Sequence, residues 1–252
     1  MPKFFVASDL HGFYNEYIKA LDEAGYDETN EDHWLIVCGD YFDRGKQPKE
    51  IMNFLMNAPR AILVRGNHEG LLEQALSRGY PEPWDKENGT WKTIRYLDPS
   101  GEYGIKTHQV RARIRPFFEK MVPYFETKNH IFVHSWVPVI CHDHYPDHYI
   151  HNREFEFTPD WREAHPKDWE RAMWGCPFVY IKHNMMPDKT IVFGHWHCSV
   201  GWALAEGRSQ FGEDAKFDPY YGEGYIAIDG CTAHTRKVNV IVIEDEFIKE
   251  ED

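Results

Sequence analysis

Little in this sequence points toward a membrane or an oxidising compartment. Its five cysteines, Cys38, Cys141, Cys176, Cys198 and Cys231, are odd in number and scattered, with no CxxC pair. That excludes a dense disulfide framework and favours a reducing compartment. No run approaches the roughly 20 apolar residues that span a bilayer, and the opening MPKFFVASDLHG lacks the apolar stretch of a secretory signal. The expectation is a cytoplasmic, soluble protein with no membrane partner. Positive charge is also short: 28 Lys and Arg stand against 41 Asp and Glu, a formal net charge of −13. Nucleic acid is therefore a disfavoured partner unless bound cations or a local basic cluster invert the field. There is no internal repeat, low-complexity tract or linker rich in Gly, Ser or Pro, so the 252 residues read as a single domain.

What the chain does have is a series of short apolar runs that end abruptly in polar residues: Phe4–Ala7, Trp34–Val37, Ala61–Val64, Ile131–Val133 and Ile191–Phe193. Each reads as a buried strand. Helical spacing over Tyr14–Ala24 and Pro48–Asn57 separates the first three, and this β-α-β-α-β order predicts an α/β fold with a mostly parallel sheet. Alternation through Tyr225–Asp229 and Val238–Ile243 predicts further strands in a second sheet packed on the first. Two stretches, about 77–128 and 138–188, carry many of the Trp, Pro and Tyr residues and are expected to be insertions covering the active rim. The acidic end, Glu244–Asp252, reads as a solvated tail. Parallel strands present ligands at their carboxyl ends. Ser8-Asp9, Cys38-Gly39-Asp40, Arg65-Gly66-Asn67, His134 and Gly194-His195 are thus expected to converge on one rim.

The residue types at those ends suit a metal and a phosphate. Asp9 and His11 flank one residue, so both can face the same side of an extended segment, and a hard carboxylate beside an imidazole suits a divalent ion. Asp40, at the start of GDYFDRG, can bridge two cations, and Arg44 offers a planar fork for two phosphate oxygens. In RGNHE, Asn67 brings a neutral oxygen ligand and His68 an acid for the leaving group, with Asp43 the candidate to hold that histidine. His134, His195 and His197, taken singly, read as satisfied polar residues more often than as ligands.

In this order, DLHG, GDYFDRG, RGNHE, VHS and GHWH resemble the calcineurin-like metallophosphoesterase superfamily, close to its phosphoprotein phosphatase branch. Members of that branch typically read GDxHG, GDxxDRG and GNHE; here Ser8 replaces a common Gly and Phe42 a usually aliphatic residue, neither at a ligand position. The resemblance implies two packed mixed β-sheets flanked by helices, a four-layer α/β/β/α sandwich. It implies one ion held by Asp9, His11 and Asp40, and another by Asp40, Asn67, His134 and His195. His197 resembles an extra ligand that nucleases and phosphodiesterases of the superfamily place on the first ion. Manganese is the expected metal, although Fe, Zn and Ni suit the same donors. The implied chemistry is in-line attack by a hydroxide shared between the two cations, with Arg44 on the nonbridging oxygens and His68, oriented by Asp43, protonating the departing oxygen. The expected activity is that of a two-metal phosphomonoesterase of the serine/threonine phosphatase type, acting on a phosphoprotein or a small phosphoester. The alternatives are a symmetrical dinucleoside tetraphosphate hydrolase and a phosphodiesterase.

A second phosphate-binding arginine is usual in that branch. Arg153, Arg162 and Arg171 fall in the right interval without convincing register, and Gly175-Cys176 stands where Ser-Arg often does. Several other signals have a plainer reading. The run from Cys141 to His148 reads as a polar lid loop rather than a third metal site, because its spacing fits no structural zinc pattern. Trp161, Trp169 and Trp174 read as lid-packing aromatics before base-stacking ones. Lys106, Arg111, Arg113 and Arg115 read as an exposed helical face before an anion site.

Overall fold

The computed structural model of the chain describes residues 1–98, 106–142 and 154–248. It opens with β1 (Lys3–Ala7), α1 (Tyr14–Ala24), β2 (His33–Cys38), α2 (Pro48–Asn57), β3 (Ala61–Val64) and α3 (Asn67–Arg78). Helix α1 buries Tyr17 and Leu21 at i, i+4 spacing and stops at Gly25, whose φ of 81° suits the left-handed C-cap. Helix α2 has Pro48 in its first turn, where the missing N–H costs nothing, and buries Ile51, Met52 and Leu55. These helices cover one face of the sheet.

Next come α4 (Pro83–Glu87), α5 (Thr90–Leu97), α6 (Thr107–Phe118), β4 (Met121–Val122), β5 (Phe125–Glu126) and β6 (His130–Phe132). A small hairpin of β7 (Val139–His142) and β8 (Glu154–Phe157) leads to α7 (Pro166–Ala172), α8 (Pro177–Lys182) and β9 (Thr190–Phe193). The chain then forms α9 (Ser199–Glu206), β10 (Tyr220–Gly222), β11 (Tyr225–Ala227), α10 (Thr232–Thr235) and β12 (Ile241–Glu244). Two five-stranded sheets result, ordered β12-β1-β2-β3-β4 and β10-β11-β9-β6-β5. In the first, β1 to β4 are parallel and β12 is antiparallel. In the second, β11, β9 and β6 are parallel between antiparallel edges.

Side-chain alternation explains why these sheets stack. Phe4, Val6, Ile36 and Cys38 point from the first sheet into a core shared with Phe132, Val192 and Ile226 of the second. Their neighbours Phe5, Ala7, Leu35 and Val37 point the other way, into a core with α1, α2 and α3. On the outer face of the second sheet, Ile131, Ile191 and Phe193 pack under Trp161, Trp169 and Phe178. The architecture is the four-layer α/β/β/α sandwich, with strands buried on both faces as parallel sheets require.

Three expectations change. Of the two tail strands expected in the second sheet, only β11 joins it; β12 pairs with β1 at the edge of the first, because Ile241 and Ile243 fill the core between the sheets from that side. The stretch 77–128 is more than a cover, because Ile94, Leu97, Val110, Ile114 and Phe117 are buried in the same core as Phe42 and Leu72. The acidic end is not solvated throughout: Glu244 closes β12 and Asp245 is 2 % exposed. Asp245 accepts hydrogen bonds from Thr127 Oγ1 (2.6 Å), Asn129 N (3.0 Å), Asn129 Nδ2 (2.8 Å) and His130 Nδ1 (2.7 Å). Partial charges of this kind repay the burial of a carboxylate. Residues 249–252 of that end lie outside the described residues.

Burial acts to raise the pKa of Asp245, but the hydrogen bonds from Thr127 and His130 outweigh it and hold the carboxyl below its usual range. Its contribution to stability is therefore complete above the unfolded value of about 3.9 and is lost as pH falls from there toward the lower folded value. Asp245→Ala is expected to cost about 2–3 kcal/mol at pH 7 in urea denaturation, because it orphans several buried donors. The gap from the wild type should close as the pH is lowered below about 4. An unchanged midpoint at pH 7 would count against this account. Among the described residues no helix is long and apolar enough to cross a membrane.

Candidate metal centre and active site

The loops that follow β1, β2, β3, β6 and β9 meet at one rim, where the ends of both sheets come together. Their backbone is unusual. Of ten non-glycine residues with positive φ among the described residues, six are Asp9 (51°), His11 (45°), Asp40 (56°), Asp43 (67°), Arg44 (59°) and His195 (63°). A side chain in this left-handed region costs roughly 1–2 kcal/mol per residue, so the surroundings must impose it. Cross-loop hydrogen bonds do so: Asp9 N to Gly39 O (3.1 Å), His11 N to Asp40 O (2.9 Å), Gly12 N to Tyr41 O (2.9 Å) and Gly45 N to His11 O (2.7 Å). The buried carboxylate of Glu69 ties the next loop on, accepting from Asp40 N (3.0 Å), Tyr41 N (3.1 Å) and Gly66 N (2.9 Å). Burial and the neighbouring Asp40 push the Glu69 pKa up to about 7. Gly39 must be glycine twice over, since its φ is 81° and a Cβ there would lie 2.6 Å from Gly66 Cα and from His134 Nδ1.

Within this frame, lone-pair donors crowd together. His134 Nδ1 lies 2.8 Å from the Cys38 carbonyl and His11 Nδ1 lies 3.0 Å from that of Phe42. A carbonyl can only accept, so each Nδ1 carries the proton and each Nε2 offers a lone pair in the neutral ring. Burial, with Arg44 second, drives the His11 pKa down; burial also lowers that of His134 and takes His195 to about 3. Burial thus disfavours the charged form of all three rings. His134 Nε2 faces Asn67 Oδ1 at 2.8 Å, His195 Nδ1 at 3.2 Å and Asp40 Oδ1 at 3.4 Å. His11 Nε2 lies 3.8 Å from Asp40 Oδ2 and 3.9 Å from Asp9 Oδ1. Asp9 Oδ2 accepts from His195 N at 2.9 Å, which joins the two sheets.

His11, Asp40 and His68 form one group of potential ligand atoms within 4.8 Å of one another, and Asp40, His134 and His195 form a second. Asp40 belongs to both. Hard oxygens and neutral imidazoles that repel one another when buried fit divalent cations, which turn each lone pair from a liability into a bond. The carbonyls that fix the far nitrogens of His11 and His134 are the usual outer support of metal-binding rings. Asp9 belongs to neither group by distance but abuts the first, and its pKa is raised by burial, then by Asp229 and Asp40. A cation beside it would reverse that.

The acid and the phosphate fork sit over this cluster. His68 Nδ1 is 2.7 Å from Asp43 Oδ2, so the ring turns Nε2 toward Asp40 Oδ2 at 3.8 Å. Burial works to lower the His68 pKa, but the charges of Asp40 and Asp43 outweigh it and the value is raised. Asp43 is itself locked: Thr90 Oγ1 donates to its Oδ2 (2.6 Å), Thr93 Oγ1 donates to its Oδ1 (2.8 Å), and its own N donates to Thr93 Oγ1 (2.9 Å). Arg44 reaches His11 Nε2 with Nη1 and His68 Nε2 with Nη2, the latter at 3.1 Å. Helix α5 approaches so closely that a Cβ on Gly89, whose φ is 87°, would lie 2.5 Å from Arg44 N.

The expected residues do not all arrive. His197 joins neither group: its Nδ1 lies 2.5 Å from Ser199 Oγ, and its ring packs on Phe211 and Phe217. The chain turns into α9 immediately after it, which aims the ring at that aromatic wall. Arg162 is spent on Glu126 (2.7 Å) and Asp188 (2.8 Å), and Arg171 pairs with Asp168 (3.0 Å). Arg153 and residues 143–148 of the histidine-rich run lie outside the described residues. Trp161 and Trp169 are buried as expected of packing aromatics, whereas Trp174 is 56 % exposed.

The sequence reading gave no role to Thr90, Thr93, Glu69 or Asp229. Asp229 is buried near the end of β11, accepts Cys231 N at 2.7 Å, and has its pKa pushed up to about 6, chiefly by burial. A signal existed for it, because it too is a carboxylate that follows an apolar run. None existed for the two threonines, which lie about fifty positions from Asp43 in sequence.

A four-layer sandwich with an Asp, Asn and His cluster at its strand ends defines a fold built around a metal centre of the metallophosphoesterase kind. The chain belongs to the Calcineurin-like phosphoesterase family, whose description matches residues 2–199. It is 36% identical over 115 residues to the asymmetrical bis(5'-nucleosyl)-tetraphosphatase PrpE of Bacillus velezensis, covering 42% of this chain and 46% of that one. It is 32% identical over 87 residues to serine/threonine-protein phosphatase 2 of Salmonella typhimurium, covering 34% and 38%. The chain thus spans less than half the length of these curated relatives. Among solved structures, a mutant of a cold-active protein tyrosine phosphatase superposes with a TM-score of 0.51 at 13% identity, over 97% of this chain and 76% of that one. That likeness concerns the fold alone.

Proposed function

We propose that this chain is a two-metal phosphoester hydrolase. The observation that carries the reading is the convergence on Asp40 of lone-pair donors from both sheets. Asp9, His11 and Asp40 would hold one divalent cation, and Asp40, Asn67, His134 and His195 the other, with manganese the expected metal. Bound there, the pair would supply a water of lowered pKa as nucleophile and neutralise charge on the phosphate.

The chain's own residues do the rest. Arg44 binds the nonbridging phosphate oxygens through its fork. His68 holds a proton on Nε2 for the departing oxygen, and Asp43, fixed by Thr90 and Thr93, keeps the ring turned the right way. The neutral, buried imidazoles exclude competing protonation. A phosphoserine or phosphothreonine protein is one candidate substrate. Arg162 and Arg171 are engaged elsewhere, so neither is free to supply the second phosphate-binding arginine of that reading, and a nucleoside polyphosphate is the alternative.

The test is metal-dependent turnover of small esters. Protein stripped with a chelator should not hydrolyse p-nitrophenyl phosphate, and Mn²⁺ should restore the activity. Equal rates in stripped and reloaded protein, or no turnover of either that monoester or bis-p-nitrophenyl phosphate, would refute the proposal.

A further inference from the structure

A cleft of about 950 Å³ begins at Asn67 and runs between α3 and α6 to Met173 and Trp174, just past α7. It lies at the large end of the range for small-molecule sites and is far roomier than one phosphate group requires. Arginines line it in a chain whose net charge is −13. Arg65 is paired with Glu73, Arg78 with Asp85 and Arg115 with Glu119. Arg111 has no ion-pair partner among the described residues and is exposed. At the far end the Trp174 indole is 56 % exposed although the adjacent Met173 is buried. Its segment is fixed to the metal centre, because Ser135 Oγ, next to His134, donates to the Gly175 carbonyl at 2.9 Å.

We infer that this cleft holds the nucleotide leaving group of a nucleoside polyphosphate, with Arg111 on a phosphate beyond the scissile one and Trp174 stacked on the base. The inference rests on the phosphoester-hydrolase reading above. An uncommitted guanidinium and an open indole are the two groups that recognise an aromatic ring carried on an anionic linker. Glu170, exposed in the same cleft, can accept from a ribose hydroxyl or a base amino group, which a purely anionic ligand would not use. An extended peptide is the weaker occupant: the walls are helices, so no strand edge is offered to its backbone. In the reaction, the water oxygen bonds to phosphorus and the bridging P–O bond breaks. Its electrons go to the departing phosphate oxygen, which takes the proton held on His68 Nε2; of the water's two protons, one returns to His68 and the other passes to solvent. For a dinucleoside polyphosphate the products are two nucleotides.

The test compares Trp174→Ala, Trp174→Phe and Arg111→Gln with the wild type, as full-length protein loaded with Mn²⁺. The substrates are diadenosine tetraphosphate, p-nitrophenyl phosphate and a phosphoserine peptide. Trp174→Ala and Arg111→Gln should each raise KM for the tetraphosphate about tenfold, Trp174→Phe should restore it, and p-nitrophenyl phosphate kinetics should not change. Calorimetric titration with ADP should show the same loss of affinity without any turnover. Unchanged tetraphosphate kinetics, a defect confined to the phosphopeptide, or an equal fall with p-nitrophenyl phosphate would each overturn the inference. Wild-type protein that hydrolyses p-nitrophenyl phosphate but not the tetraphosphate would also overturn it, leaving the hydrolase reading standing. Protein inert to every ester would instead sink that reading, and the ADP titration would then decide the cleft alone.

Discussion

Asp40→Asn is expected to abolish stable binding of both metal ions and to lower turnover of p-nitrophenyl phosphate by at least roughly 10³-fold. Asp40 is the residue shared by both ligand groups, with Oδ1 3.4 Å from His134 Nε2 and Oδ2 3.8 Å from His11 Nε2. Changes to residues that merely support a ligand cost about 10- to 100-fold, so removal of the charge common to two ions must cost more. The substitution is gentle otherwise. Asparagine tolerates the left-handed φ of 56°, and its amide oxygen can still accept His68 N, which lies 3.0 Å from Oδ1. Metal content by plasma mass spectrometry and kcat are the two readouts. A variant that keeps two ions per chain and turns over within tenfold of the wild type would refute the bridging role.

The second large effect falls on a step after metal binding. His68→Asn should lower kcat on an alkyl phosphate by about 10²- to 10⁴-fold, the usual worth of a placed acid, while metal content stays at the wild-type level. The Asp43 contact at 2.7 Å and the threonine bonds behind it hold the ring in one orientation, which is what proton delivery needs. The same ring lies close enough to His11 and Asp40 to be a ligand instead, so the two roles must be separated. Leaving groups do that. p-Nitrophenolate leaves without a proton, so an acid's loss should weigh less on its ester than on the alkyl ester. A ligand's loss should fall equally on both and take metal with it.

Much of this arrangement was legible because it is local. Five apolar runs, each followed at once by a polar residue, marked the buried strands and the rim, and the observed strands agree with those runs to within one or two residues. The spacing of α1 and α2 was equally plain, since an amphipathic helix repeats its face every three or four residues. The acidic end misled for the same reason. Composition says that Asp245 belongs in water, but four donors brought from Thr127, Asn129 and His130 make a buried site for it. The position of His197 also escaped the pattern. GHWH reads as two equivalent histidines, yet the turn into α9 sends the second against Phe211.

The sequence by itself determined the chemistry at the strand ends: which carboxylates, amide and imidazoles stand there, and that strands buried on both faces would carry them to one edge. Only the tertiary structure decided which of those groups meet. Asn67 lies against His134 and Asp9 against His195 because two separate sheets stack face to face and bring their strand ends to the same rim. Thr90 and Thr93 lock Asp43 because α5 folds back onto the GDYFDRG loop. The cleft that opens at Asn67 exists because α6 and the segment after α7, far apart in sequence, flank the same helix. Contacts of this kind depend on packing between remote segments, and hydrophobic periodicity, which records only a residue's own face, does not encode them.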